Sequence, residues 1–370
     1  MTPKSKAVSQ PETSFTQAAE FELVPPLPPK RKVRRYLFAL ILLGLVVYFF
    51  LTRFVAMERA VGTISSLAIP YVALSLTAQV FSWLGAGYLL RKVVSLTGRP
   101  VSVFEGALMT TGANSVGTLG GGVIGTAGMI YSWLRRRGMN PGAAGLCGWL
   151  PIMLHNAALA VVSLAGLLVM IHLKKSSDVL VVGFTLALLI LVSLMGLLIW
   201  SAIHPETLKA FVTAIANFAG RLRHRTADRT KINSTVGHLL EGWDTLLRGG
   251  WPGPVMGAVL KLGFDVLTLA FVFLAAGTRV TAAVLVAGYG VPLLLGKLTL
   301  VLGGVGVVEA SMIGLYSVLG VPNGSAVVVV LAYRVFSFWM PTLIGIPLIP
   351  YIERRMTRPN QAAGVARSAQ

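Results

Sequence analysis

The stretch LGGVGVVEASMIG, residues 302–314, places three closely spaced glycines and one carboxylate, Glu309, inside a long apolar region. A glycine inside a helix costs about 1 kcal/mol relative to alanine, and an ionised side chain in hydrocarbon costs about 2.5–3.5 kcal/mol. Within a membrane, a break in a helix is tolerated only where protein or a water-filled cavity surrounds it. The stretch therefore predicts a helical hairpin that bends inside a membrane, with the acid beside the bend.

Other apolar runs are long enough to cross a bilayer, which takes about 18–20 residues. The 370 residues are 55% hydrophobic and 12% charged, with a mean hydropathy of +0.76, which is outside the range of soluble proteins. The first run resembles a signal-peptide core but has no small-residue cleavage site, which favours an uncleaved anchor. We predict an all-α polytopic membrane protein with about six full spans, at residues 36–52, 64–90, 143–172, 179–200, 254–276 and 325–351.

The flanking segments are polar. Residues 1–35 carry prolines and no apolar periodicity, and we expect a disordered cytoplasmic tail. Residues 353–370 form a second cytoplasmic tail. Residues 205–251 alternate apolar and basic positions at helical spacing, which predicts amphipathic helices on the inner leaflet, with a plain cytoplasmic connector as the alternative.

The net charge of +19 is concentrated beside the apolar runs, for example in KRKVRR at 30–35 and RRR at 135–137. Such clusters set the orientation of spans and attract anionic lipid heads. No nucleic-acid-binding motif accompanies them, so we expect no nucleic-acid partner. The single cysteine, Cys147, excludes an intramolecular disulfide and a cysteine-based metal cluster, and we expect neither a metal nor another cofactor.

Residues 101–134 contain a second glycine run, GTLGGGVIGTAG. If this region and residues 281–319 both return to the side from which they enter, the chain has eight hydrophobic elements and both termini lie in the cytoplasm. Of the 32 lysines and arginines, that topology leaves outside only Arg53, Arg59, Lys174, Lys175 and Arg279. The positive-inside rule favours this arrangement, with re-entrant hairpins.

The two broken regions are related in sequence. LGGGVIGTAGMIYSWL at 119–134 aligns with LGGVGVVEASMIGLYS at 302–317, and GMNPGAA at 138–144 matches GVPNGSA at 320–326. We predict an inverted repeat formed by residues 101–173 and 281–351. Inverted repeats with discontinuous helices are typical of membrane transporters.

A few ionisable side chains fall inside the predicted membrane region, where each needs a partner or a wet cavity. Lys261 and Asp265 are four residues apart and can pair on one helix face; a structural and a functional role are equally open. The bend before Val307 exposes helix amides that suit a phosphate. Glu309 could stabilise that helix start, meet an ammonium group, or form an internal salt bridge with Lys297 or Arg334. We predict a substrate-binding group of Glu309, Arg334, Lys297, Gly303, Gly304, Gly306, Gly120, Gly121, Gly122, Thr126 and Tyr333.

Three stretches carry a family resemblance: GGVGVVEASMIGLYSVLGVP at 303–322, AVVVVLAYRVFSFWMPTLIGI at 326–346 and GTLGGGVIGTAGMIYSWLRRRG at 117–138. Over about residues 36–352 the chain resembles the lysylphosphatidylglycerol synthase transmembrane-region family. That family contains the flippase-like part of the synthases and related stand-alone inner-membrane proteins. Many relatives carry an acid near the first glycine turn, where this chain has Thr126.

The resemblance implies a lipid translocase in a bacterial inner membrane, and a membrane phospholipid is the expected partner. The substrate would carry a phosphate, with an aminoacylated lipid as one option. Because H-E-x-x-H and G-x-S-x-G motifs are absent from the sequence, we do not expect an enzyme. The alternatives are an integral-membrane enzyme acting on lipid head groups, and an accessory subunit of hopanoid or glycolipid assembly.

Overall fold

The computed structural model describes residues 67–97, 101–172, 250–298 and 302–368, together with six isolated positions between 185 and 200. The predictions for the tail at 1–35, the span at 36–52, most of the span at 179–200 and nearly all of the connector at 205–251 lie outside the described residues. All regular elements in the described ranges are helices. In chain order they are α1 (Ile69–Ser95), α2 (Val103–Val116), α3 (Gly122–Arg136), α4 (Pro141–His172), α5 (Pro252–Ala275), α6 (Ala282–Leu298), α7 (Val307–Val318), α8 (Asn323–Arg334) and α9 (Met340–Ser368).

Among the described residues, four helical segments are long and apolar enough to cross a membrane: α1, α4, α5, and α8 with α9, which continue one another over Asn323–Arg354. They coincide with the predicted spans at 64–90, 143–172, 254–276 and 325–351. Helices α6 and α7 are apolar but shorter. The prediction of an all-helical membrane protein is therefore confirmed for the described part of the chain. The C-terminal segment from residue 353 continues as helix α9 to Ser368.

Helices α1 and α5 form the largest interface and run antiparallel. A Cβ atom built on Gly85 would lie 2.7 Å from the backbone nitrogen of Lys261, and one on Gly257 would lie 2.6 Å from the Cα of Leu89. Only glycine allows the two backbones to approach this closely, as is common between membrane helices. The Ser82 hydroxyl donates to the carbonyl oxygen of Lys261 at 2.9 Å, which fixes the register of the pair.

Helices α2 and α3 form a hairpin whose turn is a π-helical segment, Gly117–Gly121. At the open end of the hairpin, Glu105 near the start of α2 forms an ion pair with Arg137 just after α3. The neighbouring Arg136 pairs with Glu353 of α9 at 3.2 Å. The hairpin therefore enters and leaves the bundle at the end where α9 passes residue 353.

Helices α6 and α7 form a second hairpin. Near its open end, the Tyr316 hydroxyl donates to the carbonyl oxygen of Leu285 at 3.1 Å. Near its tip, a Cβ atom on Gly304 would lie 2.8 Å from the Cα of Gly296. The open end packs on the C-terminal half of α4, where Gly166 meets Ala287. Because α4 starts next to the open end of the first hairpin, the two hairpins enter from opposite ends of the bundle.

The tips of the two hairpins meet. The π-helical turn of the first contacts the short turn Leu302–Gly304 of the second, and a Cβ atom on Gly303 would lie 3.3 Å from the Cγ2 of Thr118. Apolar clusters pack on both sides of this level. One includes Met109, Ile130 and Trp133, and the other includes Phe273, Met312 and Tyr316.

The turns that follow the two hairpins have the same local structure. Gly138 and Gly320 both adopt positive φ, 79° and 97°. After each, the next amide donates back to a carbonyl five residues earlier, from Met139 to Leu134 and from Val321 to Tyr316. This is a common way of ending a helix with glycine. The pairing of these turns by sequence thus corresponds to a likeness in backbone structure.

Candidate functional site

An ion pair lies beside the tip of the second hairpin. The Nε of Arg334, at the end of α8, donates to the Oε1 of Glu309, in the first turn of α7, at 2.9 Å. Each side chain is only 5% exposed. Of the two salt-bridge partners that the sequence offered for Glu309, Lys297 and Arg334, the structure pairs it with Arg334.

Glu309 also stabilises the start of its own helix. Its Oε2 accepts a hydrogen bond from the amide of Gly306 at 2.6 Å. Gly306 has φ of 87°, a conformation that favours glycine. A helix start leaves backbone amides without partners, and a carboxylate three residues on satisfies one of them. The glycines and the acid are therefore found together because the break creates an amide that the acid binds.

Arg334 has one group without a hydrogen-bond partner among the described residues. Its guanidinium stacks on the ring of Phe338, 4.0 Å from the ring centroid, and its Nη2 is buried without a hydrogen-bond partner. Phe338 belongs to a π-helical turn, Val335–Trp339, between α8 and α9. Such turns are frequent at functional sites. The arginine can thus donate to a further acceptor without leaving Glu309.

A second polar cluster surrounds Asp265 in the middle of α5. Its Oδ2 accepts from the hydroxyls of Tyr289 at 2.7 Å and Tyr333 at 2.8 Å. With its amide oriented to satisfy both neighbours, Gln79 donates to the Oδ1 at 3.2 Å and accepts from the indole of Trp83 at 3.0 Å. Helices α1, α5, α6 and α8 therefore converge on one carboxylate. Tyr333 adjoins Arg334 in sequence, so the two clusters are contiguous.

Lys261, predicted to pair with Asp265, does not form an ion pair with it within the described part of the chain. The two residues are one helical turn apart and interact electrostatically, but the carboxylate takes its hydrogen bonds from tyrosines and Gln79. Lys297, at the end of α6, lies within electrostatic range of Asp265 and Arg334. His155 of α4 lies within range of both lysines. Two cationic side chains, Lys261 and Lys297, therefore act on Asp265 electrostatically without hydrogen-bonding to it within the described residues.

The predicted glycines occupy the two tips. Gly303 and Gly304 have φ of 64° and 65°, and a Cβ on Gly303 would lie 2.6 Å from the ring of Phe338. Gly120 and Gly121 belong to the π-helical turn, and Gly122 follows with φ of 54°. The buried Thr126 donates its hydroxyl to the carbonyl oxygen of Gly122 at 3.2 Å. Of the two tips, the ion pair lies at the second.

Sequence reasoning missed three members of the site. Gln79, Trp83 and Tyr289 were not singled out, although all three contribute polar groups within apolar helices. A polar side chain within a predicted membrane helix is itself the signal that could have found them, because it requires a partner there.

The fold and these buried ionic groups define a multi-pass α-helical membrane protein. The model of the family described as the lysylphosphatidylglycerol synthase TM region matches residues 36–345. The protein belongs to this family, which confirms the resemblance seen in the glycine motifs.

Similar proteins include archaeal UPF0104 membrane proteins. One from Methanocaldococcus jannaschii is 25% identical over 182 residues, which is 47% of this chain and 52% of the relative. One from Methanothermobacter thermautotrophicus is 37% identical over 88 residues, 24% of this chain and 26% of the relative. One from Pyrococcus horikoshii is 32% identical over 83 residues, 22% of this chain and 25% of the relative. The chain thus matches about a quarter to a half of the length of these relatives.

Proposed function

We propose that the protein is a lipid translocase that moves a phosphate-bearing lipid between the leaflets of the inner membrane. The observation that carries this proposal is the meeting of two hairpin tips beside a buried arginine with an unpartnered Nη2. Discontinuous helices that meet within a bundle are the usual site of substrate binding in membrane transporters. An unpartnered buried donor is costly unless a ligand satisfies it.

The two hairpins form, in this proposal, the halves of an inverted repeat. Three observations support it: the sequence alignment of residues 119–134 with 302–317, the entry of the hairpins from opposite ends, and the similar glycine turns at Gly138 and Gly320. The path for the head group would run past the tips, where each leaflet contributes one hairpin. The rest of the lipid would stay in the bilayer.

We further propose the orientation expected from the basic clusters, with both termini in the cytoplasm. The ion pairs of Arg136 and Arg137 support it, because they group the open end of the first hairpin with residue 353 of α9. All four of these side chains would then lie at the cytoplasmic face. Basic residues there would attract anionic lipids to the entrance.

Transport can be measured with purified protein in phosphatidylcholine vesicles that contain a tail-labelled phosphatidylglycerol. A membrane-impermeant reductant bleaches only the outer leaflet, so lipid movement appears as loss of the protected half of the signal. We expect exchange in vesicles with the protein and not in empty vesicles. Exchange should be strongly reduced by Arg334→Gln and unchanged by Arg279→Gln, which removes an exposed arginine from the turn after α5.

Equal bleaching of empty vesicles and of vesicles that hold the natural protein would reject the translocase. Exchange by Arg334→Gln at the natural rate would exclude the arginine from the path. Circular dichroism and gel filtration show whether each variant is folded. A second variant combines Glu309→Gln with Arg334→Gln, which removes the guanidinium without leaving an unpaired charge.

A further inference from the structure

Two lysines of the bundle, the half-buried Lys261 and the exposed Lys297, form no ion pair within the part of the chain that the structure describes. Helices α4 and α6 run antiparallel, with Gly166 against Ala287 and Gly290 against Ser163, which sets Lys297 of α6 opposite His155 of α4. Lys261 of α5 interacts electrostatically with both groups. The ion pairs of the described residues involve neither lysine. Two like charges close together within a membrane protein repel each other, which raises the free energy of the folded protein. An anion bound between them would lower that free energy.

Neither nearby acid neutralises the lysines directly. Asp265 accepts hydrogen bonds from two tyrosine hydroxyls, and Glu309 holds Arg334 and the amide of Gly306. Lys261, Lys297 and Arg334 are three cations, and Asp265 and Glu309 are two anions. The described residues of the site therefore carry a net positive charge even when His155 is neutral. The electrostatics therefore favour an anionic ligand.

Two buried nitrogen atoms also have no hydrogen-bond partner among the residues that the structure describes: the Nδ1 of His155 and the Nη2 of Arg334. Lys297 is exposed, whereas Lys261 is half-buried. Flexible ammonium groups on two helices and nitrogen donors on two others can together surround the oxygens of one phosphate. The acids, in contrast, have their oxygens engaged and offer little to an ammonium group.

We propose that Lys261 and Lys297, with His155, form a phosphate-binding site that holds the head group of an anionic lipid and disfavours head groups carrying a primary ammonium. The proposal rests on the proposed function, since it names the substrate class of the same site. It assigns Lys261 to ligand binding rather than to a structural pair with Asp265. In this proposal Glu309 stabilises the second tip and does not bind an ammonium group of the substrate.

The site can be tested by binding, independently of transport. Purified protein in a neutral detergent is mixed with phosphatidylglycerol or with phosphatidylethanolamine, and bound lipid is counted by native mass spectrometry. We expect phosphatidylglycerol to be retained at least about tenfold better, because one charge-assisted contact corresponds to about that factor. Lys261→Gln and Lys297→Gln should each abolish most of this preference. Lys261→Arg, which keeps the charge, should preserve it, as should the control Arg279→Gln in the turn that joins the same two helices.

Competition identifies the source of the phosphate. Inorganic phosphate at millimolar concentration should displace little phosphatidylglycerol, because only the lipid also binds through its chains. Full displacement would mean a site for free phosphate and would overturn the assignment to a lipid. Equal retention of the two lipids by the natural protein, or an unchanged preference in both glutamine variants, would overturn the anion site itself.

Transport then separates this inference from the proposed function. In vesicles, Lys261→Gln and Lys297→Gln should slow exchange of phosphatidylglycerol about tenfold and leave exchange of a labelled diacylglycerol unchanged. Selective binding without any exchange by the natural protein would reject the translocase and keep the phosphate site. Exchange of both probes at equal rates, unaffected by the lysine variants, would keep the translocase and reject the site.

Discussion

Removing the carboxylate of Glu309 tests whether the ion pair stabilises the second hairpin. In Glu309→Gln, Arg334 stays buried without its counter-charge, and the amide cannot accept from both Arg334 and Gly306 as fully as the carboxylate does. Breaking one side of a buried pair costs about 3–5 kcal/mol. With both partners 5% exposed and joined at 2.9 Å, we expect the free energy of unfolding to fall by about 3 kcal/mol. A neutral hydrogen bond between membrane helices contributes only about 0.6 kcal/mol. A loss of about 3 kcal/mol would therefore distinguish a buried ion pair from a neutral hydrogen bond.

The assay is equilibrium unfolding in mixed micelles with a denaturing detergent, followed by circular dichroism. A double-mutant cycle with Glu309→Gln and Arg334→Met isolates the coupling between the side chains. We expect the double variant to be more stable than either single variant, since no charge then remains unpaired. The control is Glu105→Gln, whose pair with Arg137 is 28–30% exposed and should lose less than about 1 kcal/mol. Additive losses in the cycle, or equal losses for Glu309→Gln and Glu105→Gln, would refute this reasoning.

Two further predictions concern packing and topology. Gly288→Ala should destabilise the second hairpin by about 1–3 kcal/mol, because the new Cβ would lie 2.2 Å from the ring of Tyr316. The control is Gly314→Ala, whose Cβ would have nothing within 4 Å. It should be neutral or slightly stabilising in the same unfolding assay. In a protein without Cys147, a cysteine at position 136 should react with a membrane-impermeant thiol reagent only after cells are opened, and labelling in intact cells would reject the proposed orientation.

The hairpins could be predicted because their signal is local. Glycines at 120–122 and 303–306 weaken a helix wherever it lies, and the basic residues after Leu134 require the chain to return to its starting side. The same local chemistry indicated that Glu309 would stabilise the helix that starts at Val307. Helix bounds were less accurate, since α1 extends to Ser95, five residues beyond the predicted span, where Arg91 and Lys92 can reach the lipid head groups.

The partners of the buried ionic groups could not be predicted, because they depend on packing between distant helices. Glu309 and Arg334 are 25 residues apart, and the sequence offered Lys297 as an equal candidate. Asp265 receives a hydrogen bond from Tyr333, 68 residues away. The i,i+4 spacing suggested Lys261 as its partner, but three helices bring neutral donors closer. Spacing identifies the groups that share a helix face, and only the tertiary structure selects among groups on different helices.

The difference between the two tips follows from the side chains that occupy them. At the second tip, a carboxylate accepts from the amide of Gly306 and so requires a buried cation, which Arg334 supplies. At the aligned place in the first tip, the Thr126 hydroxyl donates to Gly122 within its own helix and requires no counter-charge. The ion pair at the tips therefore belongs to the second hairpin and to α8.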